Sequence, residues 1–201
     1  MRIGLANKKH VNDITEVHLH AFKDFFLSFL GRGFLKQLYN GFIEHPQSGV
    51  IIAIEDKKII GFCAYSENLS DFYKFLIKTR LPGFAWYAVK AFVRKPKIIL
   101  RLFRAFTYSK ISEREDRYIE LSSIGVLPGV QSKGVGSKMI TYLYRLFNAS
   151  QFDYIKLETD CEHNEPANYF YKKNNFVLDH EYITHEGRKM NEYRLYLKSE
   201  K

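Results

Sequence analysis

Apolar and polar positions along the chain change their period several times, and each change marks an element. Residues 2–6, Arg-Ile-Gly-Leu-Ala, read as a first strand, after which Asn12 or Asp13 caps a helix running through Val17 to about Phe22. Phe25, Phe26, Phe29 and Leu30 make an apolar bend. A second helix follows from Gly33 to Glu44, with Phe34, Leu35, Leu38, Tyr39 and Phe42 as its stripe, and it stops before Pro46. Residues 50–55 and 59–65, joined at Asp56-Lys57-Lys58, read as a hairpin. Residues 69–112 read as three helices broken near Leu81-Pro82-Gly83 and Lys95-Pro96. Then come a strand over 116–126, a helix over 137–149 and a strand over 153–159. Asn164 stands as an N-cap, with Pro166 in the first turn of a helix ending near Lys173. Phe176-Val-Leu and Asn191–Leu197 close the chain as a hairpin around His185–Arg188.

The most informative junction follows Val126. A β-type run ends at Leu-Pro128-Gly129, a glycine-bearing turn follows, and apolar residues then recur at 139, 140, 143, 146 and 147. A helix beginning directly after such a turn leaves its first N–H groups without partners, with partial positive charge, which suits a phosphate. Gly134 and Gly136 permit backbone angles and close approach that other residues do not, and Lys133 and Lys138 add charge. The turn is neither a Walker loop, because no Gly-Lys-Ser/Thr is correctly placed, nor a Rossmann fingerprint, because the third glycine is missing.

Gln131-Ser-Lys-Gly134-Val-Gly136 resembles the Gln/Arg-x-x-Gly-x-Gly/Ala pyrophosphate loop of the GNAT superfamily of acyl-CoA-dependent N-acyltransferases. Asn164-Glu-Pro-Ala167-Asn-Tyr-Phe-Tyr171, followed by Asn175-Phe176, is similar to the family's Asn-x-x-Ala-x-x-x-Tyr-x-x-x-Gly-Phe, with Asn175 where glycine is usual. The element order matches as well, outside residues 69–112. The resemblance implies one α/β domain over 1–201, with a mixed, mostly antiparallel sheet of about seven strands flanked by helices and a helical insertion at about 69–112. It further implies acetyl-CoA as co-substrate. The main chain of Ile124, Gly125 and Val126 would pair with the pantetheine arm. Gln131, Ser132, Lys133, Gly134, Val135 and Gly136, with Ser137 at the helix start, would hold the pyrophosphate, and Asn164 would touch the cofactor or serve only as the cap. Tyr171 occupies the general-acid position, or else packs as a core aromatic. Glu120, and after it Glu158, are the candidates for deprotonating an acceptor amine, or else are solvated or ion-paired strand residues.

Composition bounds the rest. The 201 residues, 46% hydrophobic and 16% aromatic, suffice for a substantial core. The start lacks an apolar h-region and no run reaches membrane-spanning length, so a cytoplasmic protein is expected. Cys63 and Cys161 stand alone and read as buried free thiols. The histidines form no metal constellation, and no metal is expected. Residues 71–110 hold ten Lys/Arg against one acid, Asp71, which equals the whole net charge of +9, so the rest of the chain balances to zero. This basic, aromatic segment suits an anionic acceptor such as a nucleotide-linked or lipid-linked amino sugar, a peripheral contact with an anionic membrane, or an extra helical layer. A basic nucleic-acid- or membrane-surface-binding module that binds CoA without transfer is the competing function, although RNP, KH and helix-turn-helix signatures are missing. Exposed aromatics in the insert or terminal strands would suit a homodimer interface.

Overall fold

The computed structural model describes residues 1–23, 25–92, 117–131, 133–185 and 187–198. The chain runs through β1 (Arg2–Leu5), α1 (Val11–Ala21), α2 (Phe26–Phe29), α3 (Gly31–Glu44), β2 (Ser48–Glu55), β3 (Lys58–Ser66) and α4 (Leu69–Phe92). After the segment outside the described residues come β4 (Tyr118–Val126), α5 (Val135–Leu146), β5 (Tyr154–Asp160), α6 (Glu165–Lys173), β6 (Val177–Ile183) and β7 (Lys189–Tyr196). The strands form one seven-stranded sheet in the order β1-β2-β3-β4-β5-β7-β6. All neighbours are antiparallel except β4 and β5. The α/β class, the mixed sheet and its flanking helices agree with the sequence reading.

Each face of the sheet carries its own core. Ile14, Phe34, Leu35, Tyr39, Phe62, Phe72 and Leu76 pack beneath α1, α3 and α4, while Ile119, Met139, Leu143, Ile155 and Tyr193 pack beneath α5 and α6. Alternation along the strands decides which residues go where: in β4 and β5, Ile119 and Ile155 enter the α5 side, while their neighbours Glu120 and Lys156 do not.

Two local expectations need correction. The first helix is not capped by Asn12 or Asp13: Asn7 caps a single 3-10 turn with His10, and α1 follows directly from it. Nor does the chain break at Leu81-Pro82-Gly83, because α4 continues through Pro82. A proline in a helix removes one hydrogen bond and crowds the preceding turn, but Phe72 and Leu76 before it and Phe84 after it are all buried in the core beside α3. Gly33 and Gly41 of α3 make that close approach feasible, since a Cβ at either would lie 2.2 Å from Tyr87 or Leu76. The expected break at Lys95-Pro96, and the insert from there to residue 112, lie outside the described residues.

Candidate active site

β4 and β5 start as a parallel pair, Tyr118 with Tyr154, Ile119 with Ile155 and Glu120 with Lys156, and then separate although both continue. From Leu121 to Val126, β4 is paired only with β3, across a bulge at Ser122, so its other edge faces an opening. The opening is a wedge between two parallel strands. Ile124 and Val126 are half-buried along it, while Gly125 lies beneath Phe22 and Phe62. Gln131 donates from Nε2 to the Val126 carbonyl at 3.3 Å, tying the following turn to the strand end. An open cleft of about 660 Å³ lies at this end, lined by Ala21, Phe22, Phe25, Pro128, His163 and Asn164 among others.

At the wedge's wide end α5 begins. Gly134 has φ +76°, a left-handed conformation that L side chains rarely adopt, and no side chain caps the helix. The first helical hydrogen bond runs from the Lys138 N–H to the Gly134 carbonyl at 3.0 Å. Among the described residues the N–H groups of Val135, Gly136 and Ser137 meet no acceptor. Gln131 is the exception to the expected row of donors, because its amide is engaged by the Pro128 carbonyl at 3.4 Å. Lys133 is exposed, and Ser132 lies outside the described residues. Gly136 serves packing rather than ligand approach: a Cβ there would lie 2.8 Å from the Phe170 ring. A diphosphate fits this helix start, which offers unpaired donors, positive dipole and no blocking side chain.

α6 supplies the other wall. Asn164 is the N-cap residue, as expected, and its carbonyl accepts from the Asn168 N–H at 3.0 Å, but its side chain makes no capping bond: Nδ2 donates to Thr159 Oγ1 at 2.7 Å. Asn168 takes the structural role, donating to the carbonyls of Asp160 and Asn164 and accepting from Asn191 and Tyr193. Asn175 adopts φ 65°, the conformation that glycine commonly supplies at a helix end. Tyr171 packs against Phe170, Phe176 and Tyr193. Burial, and then the nearby Cys63, push its phenol well above the usual range, so it is held protonated. Among the described residues its hydroxyl has no hydrogen-bond partner.

On the opposite face, at the point where the wedge closes, stands a charged cluster. Glu120 is buried, and Lys156 beside it bonds Glu158 at 3.0 Å and Glu192 at 3.1 Å. Glu158 also accepts from the Tyr182 hydroxyl. Burial opposes the Lys156 charge, yet Glu120, Glu158 and Tyr118 together outweigh it and hold the ammonium. Tyr73 reaches this cluster from α4, its phenol raised by burial and then by the charges of Glu120 and Glu158. Sequence reasoning missed Tyr73, Lys156, Tyr182 and Glu192. The Lys156-x-Glu158 alternation was the available signal. Asp179, His180 and Glu192 also converge, but Arg194 bridges Asp179 at 3.1 Å and Glu192 at 2.9 Å, so those carboxylates already face a cation. Cys63 is buried, whereas Cys161 is only half-buried, against expectation, with Sγ 3.7 Å from Glu181.

A buried polar chain approaches β4 from below. His18 Nδ1 and the Tyr39 hydroxyl are 2.5 Å apart, and Tyr39 in turn bonds Ser123 on β4. Burial lowers His18 from 6.5 to about 4. A proton there would add a charge, and the buried Nε2 has no partner. The folded state therefore refuses a proton that the unfolded chain accepts below about pH 6.5, so stability is full above that value and declines toward pH 4. Urea titrations should show a loss of about 2 kcal/mol between about pH 7 and pH 4.5. The loss should be smaller in His18→Asn, which keeps a polar atom opposite Tyr39.

A family model for acetyltransferases of the GNAT family matches residues 15–176. The chain belongs to the GNAT family. Solved structures agree on the fold. An N-acetyltransferase from Staphylococcus aureus Mu50 is 16% identical, covers 98% of both chains and has a TM-score of 0.62. A GNAT-family acetyltransferase from Bacillus cereus ATCC 10987 is 15% identical over 98% of this chain and 97% of its own, with a TM-score of 0.60. The ribosomal-protein-S18-alanine N-acetyltransferase from Escherichia coli is 13% identical over 100% and 96%, with a TM-score of 0.61. Comparison with curated protein sequences gives no match.

Proposed function

We propose that this GNAT protein moves an acetyl group from acetyl-CoA to a primary amine that attacks directly while both are bound. The observation that carries this reading is the parting of β4 from β5 after the Glu120–Lys156 pair, beside a helix start with unpaired donors. Acetyl-CoA supplies a thioester carbonyl. The amides of Gly134 to Ser137 hold its diphosphate, and the free edge of Ile124 to Val126 aligns its amide-bearing arm. The acceptor enters from the face of the charged cluster with its ammonium directed to Glu120, while Glu158 and Glu192 are engaged by Lys156. Glu120 takes the proton that frees the nitrogen lone pair, directly or through water. As the new C–N bond forms the nitrogen gives up its second proton to water, and as the C–S bond breaks Tyr171 protonates the departing sulfur from the other face and regains a proton from solvent. No covalent enzyme intermediate is needed.

The acceptor is an amino sugar or another small metabolite bearing an anionic group. Its ammonium suits Glu120 in the charged cluster, and the cation excess of residues 71–110 begins on the helix that carries Tyr73 to that cluster. A thiol-release assay with acetyl-CoA against amino sugars, nucleotide-sugars, polyamines and peptides tests the reading. Turnover with an amino sugar is expected. Calorimetry that detects no acetyl-CoA binding would remove the donor site altogether.

A further inference from the structure

Ser123 stands where β4 leaves β5. The last parallel pair is Glu120 with Lys156, the bulge at Ser122 follows, and Ser123 is then paired with Ala64 of β3 alone. Strand alternation, interrupted once by the bulge, turns Glu120, Ser123 and Gly125 to one face. Their partners on β3 are Ser66, Ala64 and Phe62, and the last two belong to the core beneath α1 and α3. Gly125 is covered by Ala21 and Phe22, whereas Ser123 is half-buried and Ser122 exposed. Hydroxyls are thus open to a ligand in the middle of a central strand.

Two buried groups aim the Ser123 hydroxyl. The Tyr39 hydroxyl reaches it from α3 and lies 2.5 Å from His18 Nδ1 on α1. Tyr39 and His18 are each 1% exposed, and His18 Nε2 has no partner among the described residues. That orphan sets the direction of the hydrogen bonds. If Nδ1 accepted from Tyr39, the neutral imidazole would carry its proton on Nε2, as a buried donor without an acceptor, which folded proteins seldom keep. With the proton on Nδ1, His18 donates to Tyr39, Tyr39 donates to Ser123, and Ser123 has its own proton left to give. A run of donors pointing one way strengthens its last member.

We propose that Ser123 is a catalytic residue whose hydroxyl donates to the thioester carbonyl oxygen, with Tyr39 and His18 as positioning residues that hold it in that direction. The assignment rests on the acetyl-transfer reading. A chain that ends in a donor suits an oxygen gaining negative charge, whereas the acceptor's ammonium is served by the Glu120 carboxylate on the same face. As the amine nitrogen attacks, the carbonyl π pair moves onto oxygen and tightens the bond from Ser123. The pair returns as the C–S bond breaks, and Ser123 keeps its proton throughout.

Ser123→Ala should lower kcat about a hundredfold with the KM for acetyl-CoA nearly unchanged, because the bond matters most once the oxygen is charged. Tyr39→Phe keeps the ring contacts with Phe42 and Phe62 and should lower kcat about tenfold, by releasing the hydroxyl from its direction. In the Ser123→Ala background Tyr39→Phe should cost nothing further, an outcome that a merely structural role for Tyr39 would not produce. Kinetics use the amine that the thiol-release screen ranks first, while circular dichroism and acetyl-CoA calorimetry establish that each variant folds and binds the donor. Wild-type kcat in Ser123→Ala, losses that multiply in the double variant, or a raised amine KM at unchanged kcat would each overturn the assignment and leave the transferase reading standing. No thiol release by the wild-type protein with any amine would remove that reading, and the assignment with it.

Discussion

Gly134→Glu is expected to weaken acetyl-CoA binding about a thousandfold, because a carboxylate about 4 Å from a diphosphate in a partly exposed site costs about 4 kcal/mol. Two effects act together. The new charge replaces an attractive end of α5 with a repulsive one. The substitution also strains the backbone, since residue 134 sits at φ +76°, where only glycine is comfortable. Nothing lies within 4 Å of a Cβ built there, so the side chain itself has room and the fold should survive with a stability loss of about 1 kcal/mol. Gly134→Ala separates the two effects: it carries the strain without the charge and should retain most of the affinity. Calorimetry showing that Gly134→Glu binds acetyl-CoA like the wild type would refute the proposed diphosphate site.

Tyr171→Phe should reduce kcat about a thousandfold, within the usual range for a positioned proton donor. The ring contacts with Phe170, Phe176 and Tyr193 survive this substitution, so stability and the KM for acetyl-CoA should change little. A diagnostic follows from the leaving group. The hydroxyl matters because a thiolate departs poorly, so an acyl donor with a more acidic thiol should recover much of the lost rate. Unchanged kcat in Tyr171→Phe would return this residue to a packing role.

Much of the fold was legible because it is written in local periods. The two continuous apolar runs in 50–65, parted by Asp56-Lys57-Lys58, and the helical stripe of Phe34, Leu35 and Tyr39 each fix an element without reference to the rest of the chain. The hairpin at Asp56-Lys57 is of the same kind: both residues take positive φ, as a two-residue turn demands. Pro82 was misread because proline speaks only of local cost. What keeps α4 continuous is the contact of Leu76 with Gly41, 35 residues earlier, and of Tyr87 with Gly33, 54 residues earlier. The turn and helix start proposed to hold the donor were legible in local terms, as a glycine of positive φ before an uncapped helix. The acceptor side was not, because the Lys156–Glu192 pair depends on the register between β5 and β7, and Tyr73 arrives from an element whose docking no local pattern records. Asn164 was legible as the N-cap residue of α6 but not in the direction of its side chain. An asparagine ahead of a helix usually caps it, and only the position of Thr159 shows that its amide turns toward β5 instead.

The contact between Phe170 and the bare Cα of Gly136 joins the start of α5 to α6. The residue that seats against the helix proposed to hold the diphosphate is the sequence neighbour of the residue proposed to protonate sulfur, and both belong to one turn of α6. Under the proposed mechanism donor grip and thiol departure would be geared to each other: any branch at position 136 would lever that turn outward. Such a change would carry the phenol away from its target and loosen the carrier in a single movement.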